Sequence, residues 1–304
     1  MTDFFQKVFT RYPIKTKRGL ELLPGFVSWT LILFPIWGSL VVPYIVAYFI
    51  VFFDIYWFYK SFSLAINAFL ASKKIKNAER TNWLKKLEKL SDFKKVNHVV
   101  IIPNYKEHLS KLRQTIISIA SQTLPTHQIF IVLGMEKREG DGVKKAEALI
   151  KEFKNSFGDI FATYHPDIDG EVKGKSSNES YASKKAYQKL IKTGVIDVNF
   201  ATVSSVDADS VFDSQYFSYL SYEFLKDSKR YNKFWQSANV NHNNFWTVPA
   251  PIRIIAFFGS LWRTALLVQK DRLISNSTYS LSFSLLKKNN HTIQRTIGSF
   301  LMAG

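Results

Sequence analysis

Twenty-eight consecutive residues near the amino terminus, from Phe26 to Phe53, carry no charged side chain. After Asp54 and Lys60 the apolar character continues to Ala71. An uncharged apolar run of more than about 18 residues is typical of a membrane-spanning helix, and this stretch is long enough for two spans of roughly 20 residues. We therefore predict a membrane anchor over residues 26–71, preceded by a basic amino-terminal segment over residues 1–25.

Lysine and arginine lie on both sides of this predicted anchor. Because positive residues favour the cytoplasmic side of a membrane, basic flanks at both ends predict an even number of crossings and therefore a two-helix hairpin. Pro35, Gly38 and Pro43 are candidate positions for the break between the helices. Two alternatives stay open: one span followed by an aromatic-rich interfacial helix, or a buried helical hairpin of a soluble protein. The flanking basic residues are Lys7, Arg11, Lys15, Lys17 and Arg18 before the anchor, and Lys73, Lys74, Lys76 and Arg80 after it.

Composition excludes several classes of protein. The formal net charge is +17, and many of the basic residues flank the anchor, where they would attract anionic lipid head groups. Nucleic-acid binding would need a basic stripe within a recognisable module, and none is visible. We therefore predict membrane lipids, and no nucleic acid, as partners. The chain has no cysteine, which excludes disulfides and thiolate metal sites, and its six histidines show no ligand spacing.

Two short apolar runs after residue 96 predict one βαβ unit of a parallel sheet. The first, Val99 to Ile102, stops at Pro103, and the second, Gln128 to Leu133, stops at Gly134. Apolar residues recur at helical spacing between residues 109 and 119. A strand, a helix and a second strand in this order are typical of parallel sheets.

A third apolar run, Ala201 to Val206, ends in Asp207-Ala208-Asp209. Successive strand side chains point to opposite faces, so both carboxylates can reach one site only if the backbone turns at Ala208. Two carboxylates at a strand end can hold a divalent metal against a diphosphate. A strand followed by an acidic surface turn is the alternative. Ligands of open α/β sheets bind beyond the carboxyl ends of the strands, which is where these aspartates fall.

A basic loop of small residues, Lys173-Gly174-Lys175-Ser176, leads into a segment from Glu179 to Thr193 that we predict to be helical. A cationic loop that opens a helix offers ammonium groups and free backbone N–H groups to an anion. A solvated loop is the alternative interpretation.

In chain order, these segments resemble the nucleotide-sugar half of a family 2 glycosyltransferase with a GT-A fold. The resemblance covers residues 96–213 and extends more loosely to about residue 288. It implies an α/β fold with a mostly parallel sheet flanked by helices, which here follows the transmembrane helical hairpin predicted above. It also implies inverting transfer from a nucleotide-diphosphate sugar to a saccharide or lipid-linked acceptor. The matching residues are Ile102-Pro103-Asn104-Tyr105-Lys106-Glu107, Ser118 to Gln122, Gly174-Lys175 with Asn178, and Asp207 with Asp209.

The resemblance implies a role for each matching side chain. Glu107 and Glu136 would contact the base and ribose of the donor, and Lys175 its phosphates. Asp209 would be the direct metal ligand, with Asp207 also near the metal or closer to the ribose or sugar. Mg²⁺ or Mn²⁺ would stabilise charge on the departing nucleoside diphosphate. A helix cap for Glu107 and a surface turn for Glu136 are the alternatives. The donor-binding residues would be Pro103, Tyr105, Glu107, Glu136, Lys175 and Asp207.

The carboxyl-terminal part departs from the family pattern. Trp235-Gln236 and the segment Thr278 to Ser282 resemble acceptor-side elements, which in the family are followed by a carboxylate that acts as general base. Here no Asp or Glu follows Asp271. Asp271 is the remaining candidate base, with a local salt bridge as its alternative role. We therefore expect a truncated member in which donor and metal binding survive while transfer is weak or lost.

The predicted organisation is a basic segment (1–25), a membrane anchor (26–71), a basic helical connector (72–95), a nucleotide-sugar-binding half (96–213) and a partial acceptor-side half (214–304). The protein would be integral to a membrane, with its catalytic domain in the cytoplasm. The rival prediction is a non-enzymatic, membrane-anchored nucleotide-sugar-binding or scaffold protein. A nucleotidyltransferase is disfavoured, because such enzymes normally have a glycine-rich loop after the first strand and residues 103–107 contain no glycine.

Overall fold

A computed structural model of the protein describes residues 10, 12–240, 245–269 and 277–289. The chain divides into two compact units, with the boundary between Ile66 and Asn67. The first unit holds apolar helices, and the second holds a β-sheet. The candidate base Asp271 lies outside the described residues, so its role stays a prediction.

Two long helices contain the predicted anchor. Helix α1 is Pro13–Val41 and helix α2 is Pro43–Glu79, with lengths of 29 and 37 residues. At about 1.5 Å per residue, each is longer than the roughly 30 Å hydrocarbon core of a bilayer. Both helices extend beyond residues 26–71, because the lysine and arginine residues at their outer ends are good helix formers.

The break between the two helices falls at Val42, directly before Pro43, which is one of the three predicted break positions. Proline is favoured in the first turn of a helix because its missing N–H would have no partner there. Pro35 lies inside α1 instead. Gly38 lies against Val46 across the break, where a Cβ on the glycine would come within 2.8 Å of the valine side chain. The two helices therefore meet closely beside the break.

Most apolar side chains of α1 and of the first part of α2 are exposed. Both helices are long and apolar enough to cross a membrane. Core helices of soluble proteins and signal sequences have the same length and composition. Insertion of these helices into a membrane is therefore part of the proposal made below.

The second unit alternates strands with helices, as the sequence predicts. The helix predicted from Glu179 begins earlier, at Lys175, and continues after Ala186 as a π-helical turn over Tyr187–Ile191. The elements are α3 (Trp83–Leu87), β1 (Asn97–Asn104), α4 (Leu109–Ala120), β2 (Ile129–Glu136), α5 (Gly142–Phe153), β3 (Asp159–His165), α6 (Lys175–Ala186), β4 (Ala201–Ser205), α7 (Tyr216–Lys226), β5 (Phe234–Gln236), α8 (Ala250–Leu266), β6 (Tyr279–Ser282) and α9 (Phe283–Lys288). Short 3₁₀ helices occur at Phe93–Lys95, Thr126–Gln128, Val198–Phe200 and Arg230–Asn232.

Six strands form one sheet in the order β3-β2-β1-β4-β6-β5. Strands β1 to β4 run parallel, whereas β6 pairs antiparallel with both β4 and β5. Parallel neighbours need long crossover connections, and α4, α5 and α6 lie in the three crossovers that join β1 to β4. The predicted fold class is confirmed: a mostly parallel α/β sheet flanked by helices and preceded by two apolar helices.

Helices cover both faces of this sheet. Along β1, Val100 and Ile102 face a hydrophobic core that contains residues of α4, α5 and α7. Val99 and Ile101 face a second core that contains residues of α6 and α9. Because both faces are covered, the central strands are buried at nearly every position, and this explains the apolar runs in the sequence.

One buried polar residue connects β1 to β4 and to α7. The two ring nitrogens of His98 lie 2.6 Å from Thr202 Oγ1 and 2.7 Å from Ser221 Oγ. The residue is fully buried, and burial lowers the pKa of His98 from 6.5 to about 3. The charged imidazolium would be poorly solvated there, so the ring is neutral at physiological pH.

The carboxyl ends of β1, β2 and β4 meet at one edge of the sheet. In the paired register, Asn104 lies beside Met135 of β2, and Ile101 lies beside Ser205 at the end of β4. The loops that follow these three strands therefore lie next to one another. The candidate site is built from these loops.

Candidate functional site

A cleft of about 260 Å³ opens at this edge of the sheet. All seven predicted donor- and metal-binding residues line it, although they come from the ends of three strands and the start of α6. The structure thus brings together side chains that are separated by more than 100 positions in the chain. The lining residues are Pro103, Asn104, Tyr105, Glu107, Glu136, Arg138, Gly174, Lys175, Asn178, Asp207, Ala208 and Asp209.

The backbone turns at Ala208, as the two aspartates require. The N–H of Ser210 donates to the carbonyl of Asp207 at 3.0 Å, which closes the turn. Thr115 Oγ1 of α4 donates to the carbonyl of Ala208 at 2.9 Å. Ala208 is buried and Asp209 is exposed. This turn over residues 207–210, the aspartate turn, allows both carboxylates to line the same cleft.

Lys175 connects α6 to the aspartate turn. It is the first residue of α6, and its Nζ lies 2.6 Å from Asp207 Oδ1. The same Nζ donates to the carbonyl of Ser277 at 2.9 Å. The hydroxyl of Ser277 also donates to the Asp207 carboxylate. Asp207 is therefore held by one cation and one hydroxyl.

A second carboxylate lies beneath Lys175, one helical turn along α6. Glu179 is 4% exposed, and its Oε1 is 3.5 Å from Lys175 Nζ. The Ser205 hydroxyl donates to the same oxygen. Burial raises the pKa of Glu179, and the Lys175 ammonium opposes that rise. Burial also raises the pKa of Tyr279, and the Glu179 carboxylate raises it further. Glu179 therefore holds the lysine in position from inside the protein.

Asn178 and Gly134 lie in close contact at the back of the cleft. Asn178 Nδ2 donates to the carbonyl of Gly134 at 2.8 Å. Asn178 Oδ1 is buried and has no hydrogen-bond partner among the described residues. A Cβ on Gly134 would lie 2.9 Å from this oxygen and 3.3 Å from Pro103 Cα. Glycine permits this close approach, and Asn178 Oδ1 keeps its capacity to accept a hydrogen bond.

Tyr105, Arg138 and Glu136 form another wall of the cleft. The guanidinium carbon of Arg138 lies 4.2 Å from the centroid of the Tyr105 ring, and Arg138 Nε is 3.2 Å from Glu136 Oε2. Glu136 is 5% exposed and lies 3.4 Å from His165 Nδ1, so the alternative of a surface turn at Glu136 is wrong. Lys106, beside the tyrosine, has a φ of 63°, which is uncommon for a residue other than glycine. The stacked ring and guanidinium offer flat surfaces to a planar ligand group.

Glu107 lies on the rim of the cleft and does not cap α4. Its carboxylate is 3.1 Å from Lys111 Nζ, and its N–H donates to Asn104 Oδ1 at 3.3 Å. The residue before α4 is His108, whose side chain makes no capping hydrogen bond. The hydrogen bond to Glu107 raises the pKa of Lys111. The alternative role of Glu107 as a helix cap is therefore wrong.

A buried network supports the loop after β1. Asn104 Nδ2 donates to Glu139 Oε2 at 2.7 Å. Lys145 Nζ lies 2.7 Å from the same carboxylate and donates to the carbonyl of Glu107 at 2.9 Å. The hydrogen bond to Glu139 raises the pKa of Lys145. The network fixes the loop that carries Tyr105 and Glu107.

Sequence reasoning missed four residues of this site: Arg138, Glu139, Glu179 and Ser277. Arg138 follows Glu136 by two positions, so its place after a strand end was a usable signal. Glu179 lies in a polar segment without apolar periodicity, which gave no reason to expect it buried. Ser277 lies 70 positions from Asp207, and no pattern in the sequence joins them.

Two carboxylates of the cleft are the predicted metal ligands. Asp207 and Asp209 line the cleft, but the described residues contain no group of three His, Cys, Asp or Glu side chains that could hold a metal ion. Mg²⁺ is commonly bound by one or two carboxylates together with substrate phosphates and water. The two aspartates therefore fit a divalent metal that is bound together with a diphosphate.

A second cleft of about 490 Å³ lies between the end of α2, α7, β5 and α8. Its lining is rich in aromatic rings, and the rings of Trp83 and Tyr219 are stacked with centroids 4.1 Å apart. Gln236 in this lining donates to the carbonyl of Thr278 at 2.6 Å, and Thr278 Oγ1 is 3.3 Å from Ser210 Oγ in the aspartate turn. Thr278 therefore connects this second cleft, the aromatic cleft, to the first cleft. The aromatic lining residues are Trp83, Tyr216, Tyr219 and Trp235.

A third cleft, of about 530 Å³, lies along the edge strand β3. Lysine and aromatic side chains line it, and none of the seven predicted residues does. This third cleft is larger than the first, but it contains none of the predicted site residues and is therefore not the candidate site.

Among known proteins, only solved structures were found to resemble this chain. No family model matches the chain, and no curated protein matches it. The chain is similar to a mannosyltransferase from Pyrobaculum calidifontis in complex with GDP-Man and Mn²⁺, with 14% identity, 74% of this chain and 58% of that chain covered, and a TM-score of 0.41. It is also similar to S. aureus TarS 1–349 in complex with UDP, with 12% identity, 64% and 49% covered, and a TM-score of 0.37.

A complex of the same TarS fragment with UDP-GlcNAc matches at 12% identity and a TM-score of 0.37, with 64% of this chain and 48% of that chain covered. The chain thus spans about half to three fifths of the length of these structures. At such identities and TM-scores, the likenesses establish no activity, ligand or metal for this chain. Function has to be argued from the cleft itself.

Proposed function

We propose that the protein is a membrane-anchored glycosyltransferase of family 2, GT-A type. It would transfer a sugar, with inversion, from a nucleotide-diphosphate sugar to a saccharide or lipid-linked acceptor. The observation that carries this proposal is the convergence of seven residues, chosen from the sequence alone, on one cleft at the carboxyl ends of parallel strands. That cleft contains the cations, carboxylates and aromatic ring that a nucleoside diphosphate requires.

Each wall of the cleft suits one part of the donor. The stacked pair of Tyr105 and Arg138 offers a flat surface to the nucleotide base, and Glu136 lies beside it to accept hydrogen bonds from ribose hydroxyls. Lys175 would bind the diphosphate, because its ammonium points into the cleft from the start of α6. Asp209 and Asp207 would hold Mg²⁺ or Mn²⁺, which stabilises the negative charge of the departing nucleoside diphosphate.

The ion pair between Lys175 and Asp207 has to open for this binding to occur. Their atoms are 2.6 Å apart, so each side chain partly neutralises the other. A metal–diphosphate ligand gives each side chain a new partner of opposite charge. The metal attracts the Asp207 carboxylate, and the phosphate attracts the Lys175 ammonium. Glu179, 3.5 Å from the lysine, keeps the ammonium near the cleft after Asp207 is released.

The acceptor would enter through the aromatic cleft. Aromatic rings together with amide side chains are well suited to sugars, whose faces are apolar and whose edges bear hydroxyls. Inverting transfer also needs a base near the acceptor hydroxyl. The cleft that holds the donor is lined by four carboxylates, all assigned above to donor or metal. Asp271, outside the described residues, stays the predicted candidate for the base.

Two helices would anchor this enzyme. The lengths and exposed apolar surfaces of α1 and α2 support a hairpin in the membrane, and the basic residues at both outer ends favour the cytoplasmic side for the second unit. The donor nucleotides of such enzymes are cytoplasmic, which agrees with this orientation.

The test is calorimetric binding of UDP and GDP to the detergent-solubilised chain, with and without Mn²⁺. We expect metal-dependent binding that Asp209→Asn weakens by about tenfold or more, because it removes a charged ligand. Asp197→Asn is the matched control: Asp197 lies before β4, at the opposite end of that strand, and its cap on Asn199 N–H survives in an amide. Binding that does not depend on Mn²⁺, or that Asp209→Asn leaves intact, would contradict the proposal.

A non-enzymatic nucleotide-sugar-binding or scaffold protein is the second candidate. The engagement of Asp207 by Lys175 and Ser277 favours it, since both partners compete with a metal. Release of nucleoside diphosphate from a bound donor separates the two candidates. An enzyme releases the diphosphate faster when acceptor is added, whereas a binding protein retains the intact donor.

A further inference from the structure

Helix α8 carries a large apolar surface that faces away from the rest of its unit. Its inner side is fixed by Ser260, Thr264 and Ala265, which are buried. Six large apolar side chains on the helix are more than half exposed. Isolated apolar residues are normal on protein surfaces, but so many large exposed apolar side chains on one helix indicate an interaction site. The α8 apolar face consists of Ile252 (51% exposed), Ile254 (58%), Ile255 (73%), Phe257 (52%), Phe258 (58%) and Trp262 (57%).

The chain segment that contains α8 is basic. Between Asp227 and Asp271 the chain has no Asp or Glu, but it has six Lys or Arg residues. Two of them, Arg253 and Arg263, are on α8 itself. Apolar side chains accompanied by basic residues are typical of helices that lie in the plane of an anionic membrane surface. A second copy of this chain would bring an equal positive charge to the same face and would be repelled.

The end of α8 lies next to the end of a candidate membrane span. Leu267, directly after α8, lines the aromatic cleft together with Ala71, Lys74 and Ile75 of α2, all within the second unit. These α2 residues continue the helix whose earlier part is apolar enough to cross a bilayer. In the membrane-anchored arrangement proposed above, these α2 residues would leave the bilayer near its surface, and the end of α8 would lie close to that surface too.

We propose that the α8 apolar face lies in the interfacial region of an anionic lipid bilayer. This contact is separate from α1 and α2, and it does not depend on the proposed glycosyl transfer. It would hold the second unit against the membrane at a second point, with the aromatic cleft beside the lipid surface.

The chain has no cysteine, so single cysteines can be labelled without background. Ile255→Cys would carry an environment-sensitive fluorophore on the α8 apolar face. Val195→Cys, 60% exposed in the loop before β4, is the matched control. The full chain is reconstituted into phosphatidylcholine vesicles with and without phosphatidylglycerol, and emission and quenching by brominated acyl chains are measured.

We expect the label at Ile255 to emit at shorter wavelength and to be quenched by brominated lipid, more strongly in anionic vesicles. The label at Val195 should keep the emission it has in water. Adding Phe258→Asp to the Ile255→Cys chain should reduce the quenching, with folding of the second unit checked by circular dichroism. A label at Ile255 that stays in water in both vesicle types would overturn the proposal. A blue shift without bromine quenching, accompanied by cross-linking of two unlabelled Ile255→Cys chains through the introduced thiols, would also overturn it by identifying a protein interface.

Discussion

The buried histidine of β1 makes the stability of the second unit depend on pH in a defined direction. The pKa of His98 is about 3 in the folded chain and 6.5 in the unfolded chain. Between these values the unfolded state binds a proton that the folded state does not bind, so stability is fully present above pH 6.5 and is lost as the pH falls toward 3. Each pH unit in this window costs about 1.4 kcal/mol, which gives a loss of about 2 kcal/mol at about pH 5.

The assay is urea denaturation of the full chain in mild detergent at about pH 7.5 and about pH 5, for the parent and for His98→Phe. Phenylalanine cannot titrate, so the variant should be less stable at the higher pH but should lose about 2 kcal/mol less than the parent between the two pH values. His108→Gln, a change at an exposed histidine, should leave the parent's pH dependence unchanged. Equal losses in the parent and in His98→Phe would show that burial of His98 is not the cause.

Three further changes test packing and chemistry. Gly158→Ala should destabilise the fold by about 1–3 kcal/mol in thermal denaturation, because its Cβ would overlap a carbonyl oxygen, whereas Gly140→Ala, with open space around it, should be near neutral. Lys175→Met should tighten Mn²⁺ binding, by freeing Asp207, and weaken UDP binding about tenfold in calorimetry; weakening of both would indicate a merely structural lysine. Tyr219→Ala should leave UDP affinity unchanged and lower transfer to an acceptor, and reduced UDP affinity would contradict the assignment of the aromatic cleft.

The strands and their ends could be predicted because their burial leaves a direct trace in the sequence. Val99 to Ile102 is entirely apolar, and Ala201 to Val206 is apolar or small and uncharged, because helices cover both faces of the sheet. The alternation of strand side chains predicted a turn at Ala208, and the structure has that turn. β1 and β2 run one and two residues past their predicted ends, to Asn104 and Glu136, because the parallel pairing continues through Pro103 and Gly134. The predicted ends still located one edge of the sheet, and one cleft contains residues from all three ends.

Contacts between distant segments could not be predicted. Glu179 lies in Lys175-Ser-Ser-Asn-Glu-Ser180, which has no apolar periodicity, so neither the start of α6 nor the burial of its carboxylate was visible. Ser277 reaches Asp207 only because β6 pairs with β4, and the register of that pairing depends on the assembled sheet. The exposed face of α8 was equally hidden, because an apolar helix of this composition is more often buried.

The pairing of β6 with β4 also sets the order in which the cleft is completed. Strand β4 pairs with β1 across about a hundred residues, and the pairing of Ser205 with Tyr279 then closes a further loop of about seventy residues. Both closures have a higher entropic cost than pairing between neighbouring segments, and β6 follows β4 in the chain. During synthesis, the aspartate turn and Lys175 can therefore meet before Ser277 has been made. We therefore expect the ion pair between Lys175 and Asp207 to form on an open sheet edge that β6 covers afterwards.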